Sequence, residues 1–114
     1  MQLITETIRR ALINNGKHYV CDPDFDPHPV VKLFTPDAAV TWLIVSAEPD
    51  DPDLLFGLCD LGIGFPELGS VLLSEIEAIR GRLGLRVERD LGFKANRPIS
   101  AYARQATIAG HIGA

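Results

Sequence analysis

The stretch VVKLFTPDAAVTWLIVSA, residues 30–47, decides the fold. Its two ends, VVKLF (30–34) and VTWLIVSA (40–47), are rich in β-branched and aromatic residues, which fit a pleated, half-buried surface. Between them TPDAA sets Pro36 at a turn position, where the fixed φ of proline favours chain reversal. Two such runs joined by so short a turn predict an antiparallel hairpin. Downstream, LLFGLC (54–59) reads as a third strand and SVLL (70–73) as a fourth. The intervening EPDDPD (48–53), all acids and prolines, is expected to interrupt the sheet.

The flanks read as helices and loops. In residues 4–15 Ile4, Ile8 and Leu12 recur at spacing four while Glu6, Arg9 and Arg10 fall outside that stripe, the pattern of an amphipathic helix. Asn15 and Gly16, both tolerant of left-handed backbone, are expected to end it. CDPDFDPHP (21–29) carries three prolines and is a connecting loop. Ser74-Glu75-Ile76-Glu77 matches the S-x-x-E capping box of a short second helix, with Gly81 as its stop. LRVERDLGF (85–93) predicts a final extended segment. PISAYARQATIAG (98–110), with Tyr102, Ala103 and Ala106 at helical spacing, predicts a short, partly frayed terminal helix. The expected architecture is one α+β domain over residues 1–114. It has an antiparallel sheet of about four strands, with the N-terminal helix and the short second helix packed on one face.

Composition fits that architecture. A chain of 114 residues can bury a core without disulfides or metals. Charges interrupt the first ten residues, so a signal peptide is not expected. The longest uncharged apolar run, AAVTWLIVSA (38–47), is half of the ~20 residues a membrane helix needs. A soluble cytoplasmic protein without a membrane partner is the expectation, and in that compartment Cys21 and Cys59 are free thiols. Charge is uneven: residues 1–77 hold 4 Lys or Arg against 13 Asp or Glu, and residues 78–114 hold 7 against 2. Two such halves neutralise each other on folding more readily than they make an anion-binding face.

Candidate chemistry is sparse. Asp22, Asp24 and Asp26 with His28 resemble the opening of a calcium loop, where alternate carboxylates converge on one cation. The sixth and twelfth positions, however, are Pro27 and Leu33 instead of Gly and Glu. GLCDLGIGFPELG (57–69) lacks the Lys and the helix entry of a phosphate loop. No G-x-S-x-G elbow surrounds Ser46, Ser70, Ser74 or Ser100. No catalytic residue, metal ligand or cofactor is assigned. The residues singled out for contact with an anion or a partner are Arg82, Arg86, Arg89 and Lys94, together with Trp42. Arg89 carries the sharpest question, because an inward guanidinium requires a carboxylate or a bound anion.

KLFTP (32–36), FGL (56–58), PELG (66–69), LSEIE (73–77) and ERDLGFK (88–94) give residues 30–103 a resemblance to the bacterial domain of unknown function family 2958. Position 21 and the residues before it fall outside the recognised pattern. The resemblance implies a small single-domain protein encoded near plasmid or other mobile-element genes, and it supplies no catalytic residues. The leading expectation is a non-enzymatic protein that works through a protein partner in that setting. The alternatives are a nucleic-acid contact through residues 80–94, an acidic mimic of DNA, and a small hydrolase or metal enzyme on Asp22, Asp24, Asp26 and His28. The partner's identity and the oligomeric state are not legible.

Overall fold

A computed structural model describes residues 2–114 as α1 (Glu6–Cys21), β1 (Val31–Phe34), β2 (Thr41–Glu48), β3 (Asp51–Asp60), β4 (Glu67–Leu72), α2 (Leu73–Ala78), β5 (Glu88–Arg89) and α3 (Ile99–Ala109). The strands form one open antiparallel sheet in the order β4-β3-β2-β1-β5, so the fold is α+β as expected. The 30–47 hairpin is its centre, with Leu33 opposite Trp42 and Phe34 opposite Thr41. β5 adds a fifth strand of two residues along the outer side of β1. No helix among the described residues is long and apolar enough to cross a membrane.

Every residue of β2 from Trp42 to Ala47 is buried, so helices must cover both faces of the sheet. On one face Leu12 of α1 and Leu73 and Ile76 of α2 meet Val31, Leu33, Trp42, Ile44 and Leu55. On the other, Ile99, Tyr102 and Ala106 of α3 cover Leu43, Val45 and Leu58. The terminal helix is therefore a packed layer of eleven residues, closed by Gly110 in left-handed conformation at φ 80°. Its Tyr102 hydroxyl donates to Asn96 Oδ1 at 3.1 Å and accepts from the Asn96 amide at 3.2 Å.

Several boundaries differ from the local sequence reading, each for a tertiary reason. α1 starts at an N-cap, Thr5, whose Oγ1 accepts from the Ile8 amide at 3.2 Å, and it runs through Asn15 and Gly16 to Cys21. Asn15 Nδ2 instead donates to the Val45 carbonyl at 2.8 Å, where β2 carries a bulge opposite β3. Gly16 lies against the backbone of Ala47: a Cβ there would fall 2.0 Å from the Ala47 oxygen. The acid and proline run does not leave the sheet, because β3 begins at Asp51 and Pro52 sits where β4 does not reach, a place that tolerates a missing donor.

The capping box of α2 is replaced by a distant carboxylate. Ser74 is the second residue of the helix; its amide donates to Asp53 Oδ1 at 3.0 Å and its hydroxyl to Asp53 Oδ2 at 2.7 Å. α3 repeats the device, with Ser100 donating its amide to Asp26 Oδ1 at 3.0 Å and its hydroxyl to Asp26 Oδ2. Each aspartate meets an otherwise orphan amide of a helix start, where negative charge is favoured.

Candidate functional site

The basic segment folds as a small hairpin closed by the Arg80–Arg86 bridge and by a bond from the Gly81 amide to the Leu85 carbonyl, 3.0 Å. Gly81 is not a helix stop, since α2 has ended at Ala78. Its missing side chain makes room for Asp37, whose Oδ2 accepts from the Leu83 amide at 2.6 Å and the Leu85 amide at 3.4 Å. A Cβ on Gly81 would lie 1.6 Å from Asp37 Oδ1, itself buried without a hydrogen-bond partner. The amides that a free anion would use are thus occupied by the chain's own carboxylate from the β1–β2 turn.

Two arginines of the segment act within the fold. Arg80 Nη1 donates to the carbonyls of Glu77 at 3.1 Å and Ile79 at 2.9 Å, closing the end of α2. Arg89 meets neither a carboxylate nor an open pocket: its Nη1 donates to the Gln2 carbonyl at 2.8 Å and the Leu3 carbonyl at 2.9 Å. These bonds hold the segment that buries Leu3 and Ile4. Trp42 is 2% exposed and belongs to the core, so its indole offers no contact surface. Arg82, Arg86 and Lys94 are exposed and form no ion pair among the described residues, and they remain from the expected set.

The acidic turn is also taken up locally. Asp22 Oδ1 accepts from the Asp24 amide at 3.1 Å, and Asp26 holds α3. Among the described residues no three His, Cys, Asp or Glu side chains come together in a metal-holding group.

The most prominent exposed apolar surface was not foreseen. In the β3–β4 connection Gly62 and Gly64 adopt left-handed backbone at φ 78° and 92°, which glycine alone reaches without strain. They alternate with Leu61, Ile63 and Phe65, which are 58%, 69% and 75% exposed, and Leu68 at the start of β4 adds 45%. Together with Cys59 and Glu67 they line an open groove of about 420 Å3. Asp60 anchors the loop base, its buried carboxylate accepting from the Gly62 amide at 2.9 Å and the Ile112 amide at 3.0 Å. The sequence signal is the alternation of glycine with large apolar residues. Alternation shows that the backbone turns, not whether those side chains find cover.

Burial pushes the Cys59 thiol up from its ordinary range, which lowers its thiolate fraction at neutral pH, whereas Cys21 is exposed. Ellman's reagent at pH 7.5 is expected to titrate Cys21 in a fast phase and Cys59 in one at least tenfold slower. A single fast phase for both would contradict this environment.

These features define a small α+β protein: an open antiparallel sheet covered on both faces, with an uncovered apolar loop beside one sheet edge. The chain belongs to DUF2958, a family described as protein of unknown function, whose match runs over residues 3–113. That span takes in α1 and Cys21, so the family pattern reaches further toward the N-terminus than the motifs of residues 30–103 suggest. No curated protein and no solved structure matches the chain.

Proposed function

We propose that this chain is a non-enzymatic cytoplasmic interaction protein that binds a protein partner across the β3–β4 loop and the free edge of β4. The setting is the plasmid or mobile-element one that the family resemblance implies. One observation carries the reading: Ile63 and Phe65 stand 69% and 75% exposed beside an edge strand whose outer side has no neighbour in the sheet. Large apolar side chains grouped at the surface mark interaction sites, and a free edge offers unpaired amides and carbonyls to an added strand. Nucleic-acid contact is the lesser reading. Of the five basic side chains in 80–94, Arg80 and Arg89 are spent on backbone carbonyls, leaving Arg82, Arg86 and Lys94 for phosphate.

The test compares affinity capture from native-host lysate by the wild type, by Ile63→Asp/Phe65→Asp, and by Arg82→Ala/Arg86→Ala/Lys94→Ala. A protein retained by the wild type and the basic-site variant but lost by the apolar-loop variant is expected. Retention by all three, or loss only with the basic-site variant, would remove this reading. So would a catalytic turnover abolished by one side-chain substitution.

A further inference from the structure

We propose that the cleft between the C-terminal half of α1 and strands β2 to β4 is a binding site for a small organic cation with an apolar body, such as an alkyl- or arylalkylammonium. The cleft measures about 480 Å3, within the range of roughly 300–1,000 Å3 typical of small-molecule sites. Tyr19, Pro23, Ser46, Glu48, Phe56 and Ser70 contribute to its lining.

The most buried polar residue lining it is Ser46, 5% exposed, whose hydroxyl makes no hydrogen bond to another described residue. Among the described residues Asp37 Oδ1 is the one fully buried side-chain oxygen without a partner, so the Ser46 hydroxyl keeps access to the cleft it lines and can accept a hydrogen bond from a ligand there. The backbone is built to present it. The β2 bulge between Ile44 and Ser46 sets Ser46 opposite Phe56, and Asn15 of α1 fixes that bulge through the Val45 carbonyl at 2.8 Å. Bulges of this kind re-aim side chains and recur beside functional sites.

The walls and the charge around the cleft select a cation. Tyr19 and Phe56 meet edge to face, with ring centroids 6.1 Å apart at 80°, and aromatic π-systems attract ammonium groups. No Lys or Arg lines the cleft, whereas Glu48 does. Beyond it, the β2–β3 turn adds Asp50, the first residue of β3 adds Asp51, and the loop carrying Pro23 adds Asp22, Asp24 and Asp26. The Tyr19 phenol is held up first by burial and then by the Asp26 carboxylate, so it stays a neutral hydroxyl. Two acidic segments, one of which also holds α3 through Asp26, thus flank one apolar cleft, and their field draws in positive and repels negative ligands.

Three probes with one apolar body separate the contributions: 2-phenylethylammonium, 2-phenylethanol and 3-phenylpropanoate, titrated into the full chain by calorimetry and amide-resolved NMR. The expected order of affinity is ammonium, then alcohol, then carboxylate, with shifts centred on residues 16–23, 46–48 and 54–56. Glu48→Gln is expected to weaken the ammonium about fivefold, as for an exposed ion pair, and leave the alcohol unchanged. Ser70→Trp, an exposed position at the mouth, is expected to abolish binding of the ammonium and the alcohol. The NMR spectrum of each variant reports whether it is folded. No binding of the ammonium at millimolar concentration, a carboxylate that binds as well as the ammonium, or shifts centred elsewhere would overturn the proposal.

Discussion

Leu43→Ala is expected to lower the unfolding free energy by about 2–5 kcal/mol, the range for removing a large aliphatic side chain from a closed core. Leu43 is 0% exposed and packs with Val45 and Leu58 under Ile99, Tyr102 and Ala106 of α3. The cavity would therefore open on the side of the sheet where Ile99, Tyr102 and Ala106 of α3 form the buried cover, and amide exchange in residues 99–109 should quicken more than in α1. Urea denaturation gives the magnitude. Leu91→Ala, at a position 73% exposed, serves as the control and should stay within about 0.5 kcal/mol of the wild type. A loss below about 1 kcal/mol for Leu43→Ala would mean that α3 does not close a second core.

Gly16→Ala should also destabilise, against the intrinsic preference of helices. In an unobstructed helix interior the change stabilises by about 1 kcal/mol. Here the added Cβ would meet the Ala47 carbonyl oxygen at 2.0 Å and Pro49 Cδ at 3.1 Å, and the first of these is strand backbone that cannot rotate away. Either α1 lifts off β2 or the strand shifts, and both disturb the Asn15 bond to Val45. The net loss is expected at about 2 kcal/mol, within the usual range for overpacking a tight contact. Thermal unfolding decides it: a Tm above that of the wild type would show that α1 and β2 do not approach this closely.

These two positions also show where the sequence is informative and where it is not. β-Branched and aromatic enrichment located the central hairpin, and the spacing of Ile4, Ile8 and Leu12 located α1, because both signals depend on near neighbours. The apolar run from Trp42 to Val45 is of the kind a strand buried on both faces shows, whereas the expected architecture placed helices on one face only. The layer over the second face is α3, read from its sequence as a short, partly frayed helix and packed in the fold through Ile99, Tyr102 and Ala106. The misread points involve partners far along the chain. Asn15-Gly16 has the composition of a helix end, yet it serves a bulge 30 residues away. Ser74 and Glu77 spell a local capping box, yet the carboxylate that Ser74 meets comes from Asp53, and Gly81 is small for the sake of Asp37. The contact candidates divided in the same way. Exposure of Arg82, Arg86 and Lys94 followed from charge alone, while the engagement of Arg89 by Gln2 and Leu3 required the folded path of both ends.

The two borders of the sheet are unequal, and that inequality limits how this protein can associate. At the β5 border only Glu88 and Arg89 pair, and Arg89 ties down the N-terminal segment. The border beyond β4 presents six residues with no neighbouring strand among the described residues. Strand addition is therefore open on one side and blunted on the other. A partner strand, or a second copy meeting β4 to β4, would cover the longer of the two borders and leave the two-residue β5 as the remaining edge.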